Sequence, residues 1–250
     1  MALELERNAL VWGITGNLGG GKSLTAVYFM VNAIGSGYCV VTNITLDIDR
    51  ICRTFGEWAR DLYFHVNLSD SALDPFKFPC GDKRGSCGNR RVLCVFDECA
   101  EWFDQYANAK SPQIQRLWSW LRHSSKRSQD VFLIVQRPDY LHKVLRILVA
   151  RWLQVNDLAV WRLPLLKMRL PFMSGYVVAS PYDRTGQRVG HASFISKSRW
   201  GRFYDTAECL NEDGSSYNAV YNVQRTVRRS RIPYIFWFAS IWALLAVLSG

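Results

Sequence analysis

The chain has 250 residues, 49% apolar, 14% aromatic and 21% charged, with a mean hydropathy of −0.07. This excludes a disordered, collagenous or low-complexity protein and is ample for one sizeable core. The formal charge of +10 is uneven: residues 1–110 hold 11 Lys/Arg against 13 Asp/Glu, and residues 111–250 hold 20 against 8. A basic half of this kind points to an anionic partner, nucleic acid or a lipid surface, with a plain solvated face as the alternative.

The N-terminus has no basic stretch leading into an apolar run, so no signal peptide is expected. Residues 9–15 (ALVWGIT) form a short apolar run ending in glycine, the pattern of a buried strand. Ser23 to Ile34 is an apolar helix stopped by Gly35-Ser-Gly37. Tyr38–Ile44, Val92–Phe96 and Val131–Val135 are further strands. Residues 65–90 are polar and punctuated by Gly and Pro, as an inserted loop or hairpin would be. Ser111-Pro112 opens a helix with Ile114, Leu117, Trp118 and Leu121 on one face, and Leu141, Val144, Leu145 and Leu148 repeat that spacing. Apolar strands alternating with helices predict an α/β fold with a mostly parallel sheet covered by helices over residues 1–150. After residue 150, stretches at 152–162, 176–179 and 191–195 alternate in strand fashion. Residues 151–224 are therefore read as a smaller β-rich segment packed on the first domain.

Residues 225–232 carry four arginines, and Pro233–Gly250 is 18 residues without a charge, just enough for a transmembrane helix. The arginine flank predicts a single-pass inner-membrane protein with its N-terminal part in the cytoplasm. The span is either a tail anchor or the start of a truncated periplasmic part, and truncation is favoured. Seven cysteines in a reducing compartment predict no disulfide framework. Cys80 and Cys87 flank a Gly-rich turn but lack the two further ligands of a zinc knuckle. Cys94 reads as core.

The chemistry concentrates in Gly16-Asn17-Leu18-Gly19-Gly20-Gly21-Lys22-Ser23, a G-x-x-x-x-G-K-[ST] loop between strand and helix. Glycines let backbone N–H groups curl around a phosphate at the positive end of the helix that Leu24 continues. Lys22 reaches the β and γ oxygens of a nucleotide, and the Ser23 hydroxyl joins a Mg²⁺ shell. About 75 residues on, a fully apolar strand delivers Asp97 and Glu98 at its C-terminal edge. Asp97 is the expected Mg²⁺ partner and Glu98 the general base for the attacking water. Gln136 ends the next strand and is a candidate γ-phosphate contact, with a plain cap or solvent contact as the alternative. No Asn-Lys-x-Asp motif is present, so ATP is expected over GTP. Arg122, Lys126, Arg127 and Arg137 are the candidate cations for a neighbouring subunit's phosphate, Arg122 first. Residues 111–151 hold eight Lys/Arg interleaved with Trp118 and Trp120, with Trp152 next in line; these tryptophans are more often core than platforms for single-stranded nucleic acid.

The succession GITGNLGGGKSLTAV, GYCVVTNI, VLCVFDE and LRHSSKRSQDVFLIVQ resembles the zonula occludens toxin (Zot) family, the P-loop assembly ATPases of filamentous phages. The Thr42-Asn43-Ile44 strand and the Arg122-His123 to Gln136 block carry most of that likeness. The resemblance implies ATP binding at Gly16, Gly21, Lys22 and Ser23, Mg²⁺ at Ser23 and Asp97, and hydrolysis through Glu98. It further implies a homo-oligomeric ring in the host inner membrane that drives phage single-stranded DNA, bare or coated by another protein, outward as coat protein assembles. The outer-membrane channel that family members contact would be met by a periplasmic domain beyond this sequence. Two other readings stay open: another membrane-anchored DNA translocase or coupling ATPase, and a scaffold that binds nucleotide without turnover.

Overall fold

The structure is a computed structural model that describes residues 11–67, 74–79, 87–100, 106–160, 175–204, 208–210 and 216–218. The chain divides into two compact units, residues 1–206 and 207–250. The first unit contains, in order, β1 (Val11–Gly16), α1 (Lys22–Gly35), β2 (Cys39–Thr42), α2 (Ile48–Phe55), β3 (Tyr63–His65), β4 (Val92–Phe96), α3 (Pro112–His123), β5 (Gln129–Ile134), α4 (Lys143–Arg146), β6 (Arg151–Asp157), β7 (Tyr176–Tyr182), β8 (Ser193–Ser196) and α5 (Lys197–Trp200). In the second, β9 (Glu208–Leu210) pairs antiparallel with β10 (Ser216–Asn218). The predicted span at 233–250 and the basic stretch at 225–232 lie outside the described residues. Among those residues, no helix is long and apolar enough to cross a membrane.

Eight strands form one sheet in the order β3-β2-β4-β5-β1-β6-β7-β8. From β3 to β6 every pairing is parallel, and β7 and β8 add antiparallel. The four residues of β2 and five of β4 are buried throughout, as strands covered on both faces must be. In β6 and β7 burial alternates along the strand, which is why their sequences alternate. Among the described residues after 150, β6, β7 and β8 join the sheet itself. Strand β6 pairs with β1 from Trp12↔Arg151 to Gly16↔Val155, so β6–β8 extend the same sheet. The sequence pattern registered the change from two covered faces to one along this sheet.

Helix α1 is buried along both sides, which explains its apolar texture: nine of its fourteen residues are buried. One side meets the sheet, where Phe29 packs edge-on against Phe132 of β5. On another, Tyr28 meets Trp200 edge-on at 5.0 Å, and Trp200 and Phe203 are themselves buried. Helix α3 starts where Ser111 accepts a hydrogen bond from the Ile114 N–H, the expected cap. The helix expected over Leu141–Leu148 is a single four-residue turn, α4. Helix α2 and β3, absent from the sequence reading, are short, and Tyr63 and Phe64 of β3 are only half-buried.

A disulfide joins Cys39, at the start of β2, to Cys87, with Cα atoms 6.5 Å apart; this corrects the expectation of reduced thiols. The β2–β4 pairing starts at Cys39↔Val92, which draws the segment before β4 over Cys39. With Cys87 bridged and Cys80 outside the described residues, a zinc knuckle has no support here. Cys94 is fully buried in β4, as expected, and burial pushes its thiol well above the ordinary range.

Trp120, the largest fully buried side chain among the described residues, donates from its indole N–H to Gln129 Oε1 at 3.0 Å, and Gln129 Nε2 donates to the Pro79 carbonyl at 2.7 Å. Replacing Gln129 by Leu strands both the indole donor and that carbonyl. We expect Gln129→Leu to lower stability by about 1–3 kcal/mol, read as a drop in the thermal transition of the chain.

Candidate functional site: a nucleotide cleft at the strand ends

Because β4, β5 and β1 run parallel, their C-terminal ends open on one edge of the sheet. A cleft of about 480 Å³ lies there, lined by Leu18–Leu24, Asp97, Glu98, Ala100, Ile134–Gln136, Tyr140 and Tyr204. The loop Gly16–Gly21 turns the chain from β1 into α1. Gly21 is left-handed (φ 89°), and a Cβ there would stand 2.6 Å from Val177 of β7. At Gly16 a Cβ would run into the Val155 carbonyl of β6. The late strands are thus the floor beneath the loop, and only glycine fits against them. Helix α1 begins without a side-chain cap, leaving its first N–H groups for a ligand at the cleft. The Lys22 ammonium donates to the carbonyls of Gly16 and Asn17 at 3.1 Å each.

Across the cleft, the Ser23 hydroxyl donates to Asp97 Oδ2 at 2.5 Å. This unites the loop serine with the acid of β4, two strands away in the sheet. Two hard oxygen donors converging at a phosphate-sized cleft suit a Mg²⁺ shell completed by water and nucleotide oxygens. Glu98 follows on an exposed turn in the left-handed region (φ 50°), a costly conformation for a non-glycine residue. Its N–H donates to Asp97 Oδ1 at 2.9 Å. Gln136 reaches the same cleft from the end of β5, and its carbonyl accepts from Thr15 Oγ1 at 2.8 Å.

Three of the four candidate cations lie away from this edge. Arg122, Lys126 and Arg127 precede β5 and so stand toward the opposite end of the strands. Arg122 lies over the Trp118 ring at 4.5 Å, away from the cleft of its own subunit. The Arg127 guanidinium donates to the carbonyls of Phe76 and Phe78 at 2.9 and 3.2 Å, which makes it a structural latch. Arg137 alone follows the cleft strand; it is exposed and lies beside Asp139.

Two site residues were missed. Asn43, just after β2, accepts from the Asp97 N–H at 2.8 Å and donates to the Asp97 carbonyl at 3.0 Å. It locks the backbone that aims the carboxylate. Its signal was its place in Thr42-Asn43-Ile44, at the same edge as the acids. Tyr204 also lines the cleft, and nothing near it in sequence announces it.

Strand, glycine loop and helix, with an acid delivered from a neighbouring strand, are the parts that define P-loop nucleoside triphosphatases, and the fold and cleft put the chain in that class. Within it, the chain belongs to the zonular occludens toxin (Zot) family, whose model matches residues 11–174. It is 30% identical over 141 residues to the Gene 1 protein of Escherichia phage If1, covering 56% of this chain and 39% of that protein. The Gene 1 protein of Salmonella phage IKe is 25% identical over 67% of this chain and 44% of its own length. The chain thus spans about two fifths of the curated relatives it matches. Among solved structures, the N-terminal domain of zonular occludens toxin from Neisseria meningitidis aligns at 16% identity and TM-score 0.44, covering 79% of this chain and all of that one. The DNA-packaging ATPase B204 of Sulfolobus turreted icosahedral virus aligns at 14% and 0.43, over 76% and 98%.

The latch assignment has a direct test. Arg127→Met should lower the thermal transition by several degrees, since two partly buried carbonyls lose their donor, while nucleotide affinity stays within about twofold. A lost turnover rate at unchanged stability would return Arg127 to the list of phosphate-facing cations.

Proposed function

We propose that this chain is the ATP-hydrolysing part of a membrane-anchored motor that drives assembly and export of a filamentous phage through the host inner membrane. The observation that carries the reading is the convergence of Lys22, Ser23 and Asp97 on one cleft in a member of the Zot family. Lys22 exchanges its loop carbonyls for the β and γ oxygens of ATP, and the loop N–H groups hold the β-phosphate. Ser23 and Asp97 would hold Mg²⁺, which neutralises the charge that builds on the phosphate oxygens. Asn43 keeps Asp97 aimed. Glu98 takes the proton of the attacking water, and the strained turn that presents it supports that role. Gln136 contacts the γ-phosphate or that water from the end of β5.

No arginine of the subunit's own lies over Lys22 among the described cleft residues, so the reading includes a homo-oligomeric ring in which a neighbour supplies the cation. Arg137 takes precedence over Arg122 on its position at the cleft edge. The predicted span at 233–250 and the arginines before it would hold the ring at the lipid bilayer. The basic second half would face phage single-stranded DNA or the protein that coats it, with coat proteins as further partners. Contact with an outer-membrane channel would fall to a periplasmic region beyond this sequence.

Two substitutions separate binding from chemistry. Lys22→Ala should abolish ATP binding measured by calorimetry, whereas Glu98→Gln should bind ATP normally and turn it over at least about 10²-fold more slowly. Equal turnover in Glu98→Gln and wild type would leave the chain a nucleotide-bound scaffold or move the base to another acid. Specific activity should also rise faster than linearly with subunit density in vesicles. Constant activity from dilute to dense would mean each subunit is complete, and the ring would be abandoned.

A further inference from the structure

The C-terminal end of the first unit returns to the nucleotide cleft. After β8 the chain crosses α1 through α5 and the turn Gly201–Phe203, anchored by buried Trp200 and Phe203. The Asp47 N–H donates to the Phe203 carbonyl at 2.8 Å, and Tyr204 bridges antiparallel to Leu46. Tyr204 is therefore held from both sides, by the aromatic cluster on α1 and by the segment after β2 that also carries Asn43. Its side chain lines the cleft with Lys22, Ser23, Asp97 and Glu98. Its hydroxyl faces the charge of Asp97 and makes no hydrogen bond with any described residue. A phenol is protonated at neutral pH, so this hydroxyl is a donor.

A fixed donor beside the acid, with no acceptor among the described residues, is placed to meet an acceptor on a ligand. We propose that the Tyr204 hydroxyl donates to the terminal phosphate of the bound nucleoside triphosphate, making it the residue that distinguishes triphosphate from diphosphate. This rests on reading the cleft as an ATP site. The β-phosphate is already served by the glycine loop and Lys22, whereas the Asp97 side of the cleft is where a third phosphate extends. A diphosphate leaves Tyr204 as it is in the free protein. A triphosphate gains a charge-assisted hydrogen bond without any cost of ordering the ring.

Calorimetric titration of the full chain with ATPγS and with ADP, each with excess Mg²⁺, tests this. Tyr204→Phe keeps the ring and its packing and removes one oxygen. It should weaken ATPγS by about tenfold or more while ADP stays within twofold, and ADP binding itself shows that the variant is folded. Equal weakening of both nucleotides, or no change in either, overturns the assignment. A Lys22→Ala control that binds ATPγS as wild type does would overturn the ATP-site reading instead, and this inference with it.

Discussion

A 2.5 Å hydrogen bond from Ser23 to Asp97 joins residues 74 positions apart, and the site depends on the register that permits it. Strand β1 pairs with β5 from Val11↔Val131 to Ile14↔Ile134, and β5 pairs with β4 from Gln129↔Val92 to Leu133↔Phe96. A one-residue slip in either ladder would turn Asp97 to the other face and leave the loop serine without its acid. Asn43 makes the same demand from the other side, since its two hydrogen bonds to Asp97 require β2 to end level with β4. The chemistry of the cleft is thus a by-product of strand alignment, and the buried aliphatic side chains that set the alignment are part of the site.

Much of this was legible in the sequence because phosphate chemistry is local. Gly16 to Ser23 is one uninterrupted segment, and the strand that delivers Asp97 and Glu98 is apolar up to the acid, so both signals survive without knowledge of packing. What failed was nonlocal. The break at residue 150 reflects β6 and β7 showing one face to solvent, a property of what covers the strand, and pairing cannot be read from alternation. Tyr204 enters the cleft by a route of some 180 residues around α1, for which no periodicity exists. The Cys39–Cys87 bridge was missed for a like reason. Compartment arguments address cysteines in general, while the β2–β4 ladder decides which two thiols meet.

The basic half of the chain is less free than its composition suggests. Arg116 pairs with Asp74 at 2.5 Å, Arg127 latches two backbone carbonyls, and Arg146 pairs with Asp139. Arg151 lies over the Trp12 ring. The tryptophans divide similarly: Trp120 is core, Trp152 covers Gly13, and Trp118 carries Arg122 on its face. An argument for an anionic partner from net charge therefore has to subtract these engaged cations before it counts exposed ones such as Lys126, Lys143 and Arg188.

The central position of β1 also governs how the protein comes into being. Strand β1 leaves the ribosome long before β5 and β6, the strands that flank it, whose residues lie at 129–134 and 151–157. At about 5–20 residues per second, its apolar run waits on the order of ten seconds for partners, exposed throughout. Such long-range parallel closure is slow in folding and vulnerable to aggregation. The loop cannot take shape before Val155 and Val177 arrive beneath it, so nascent chains have no use for nucleotide until nearly all of the first unit is made. A nucleotide that binds only the finished arrangement would stabilise it by mass action, and so would act late in the folding of this unit.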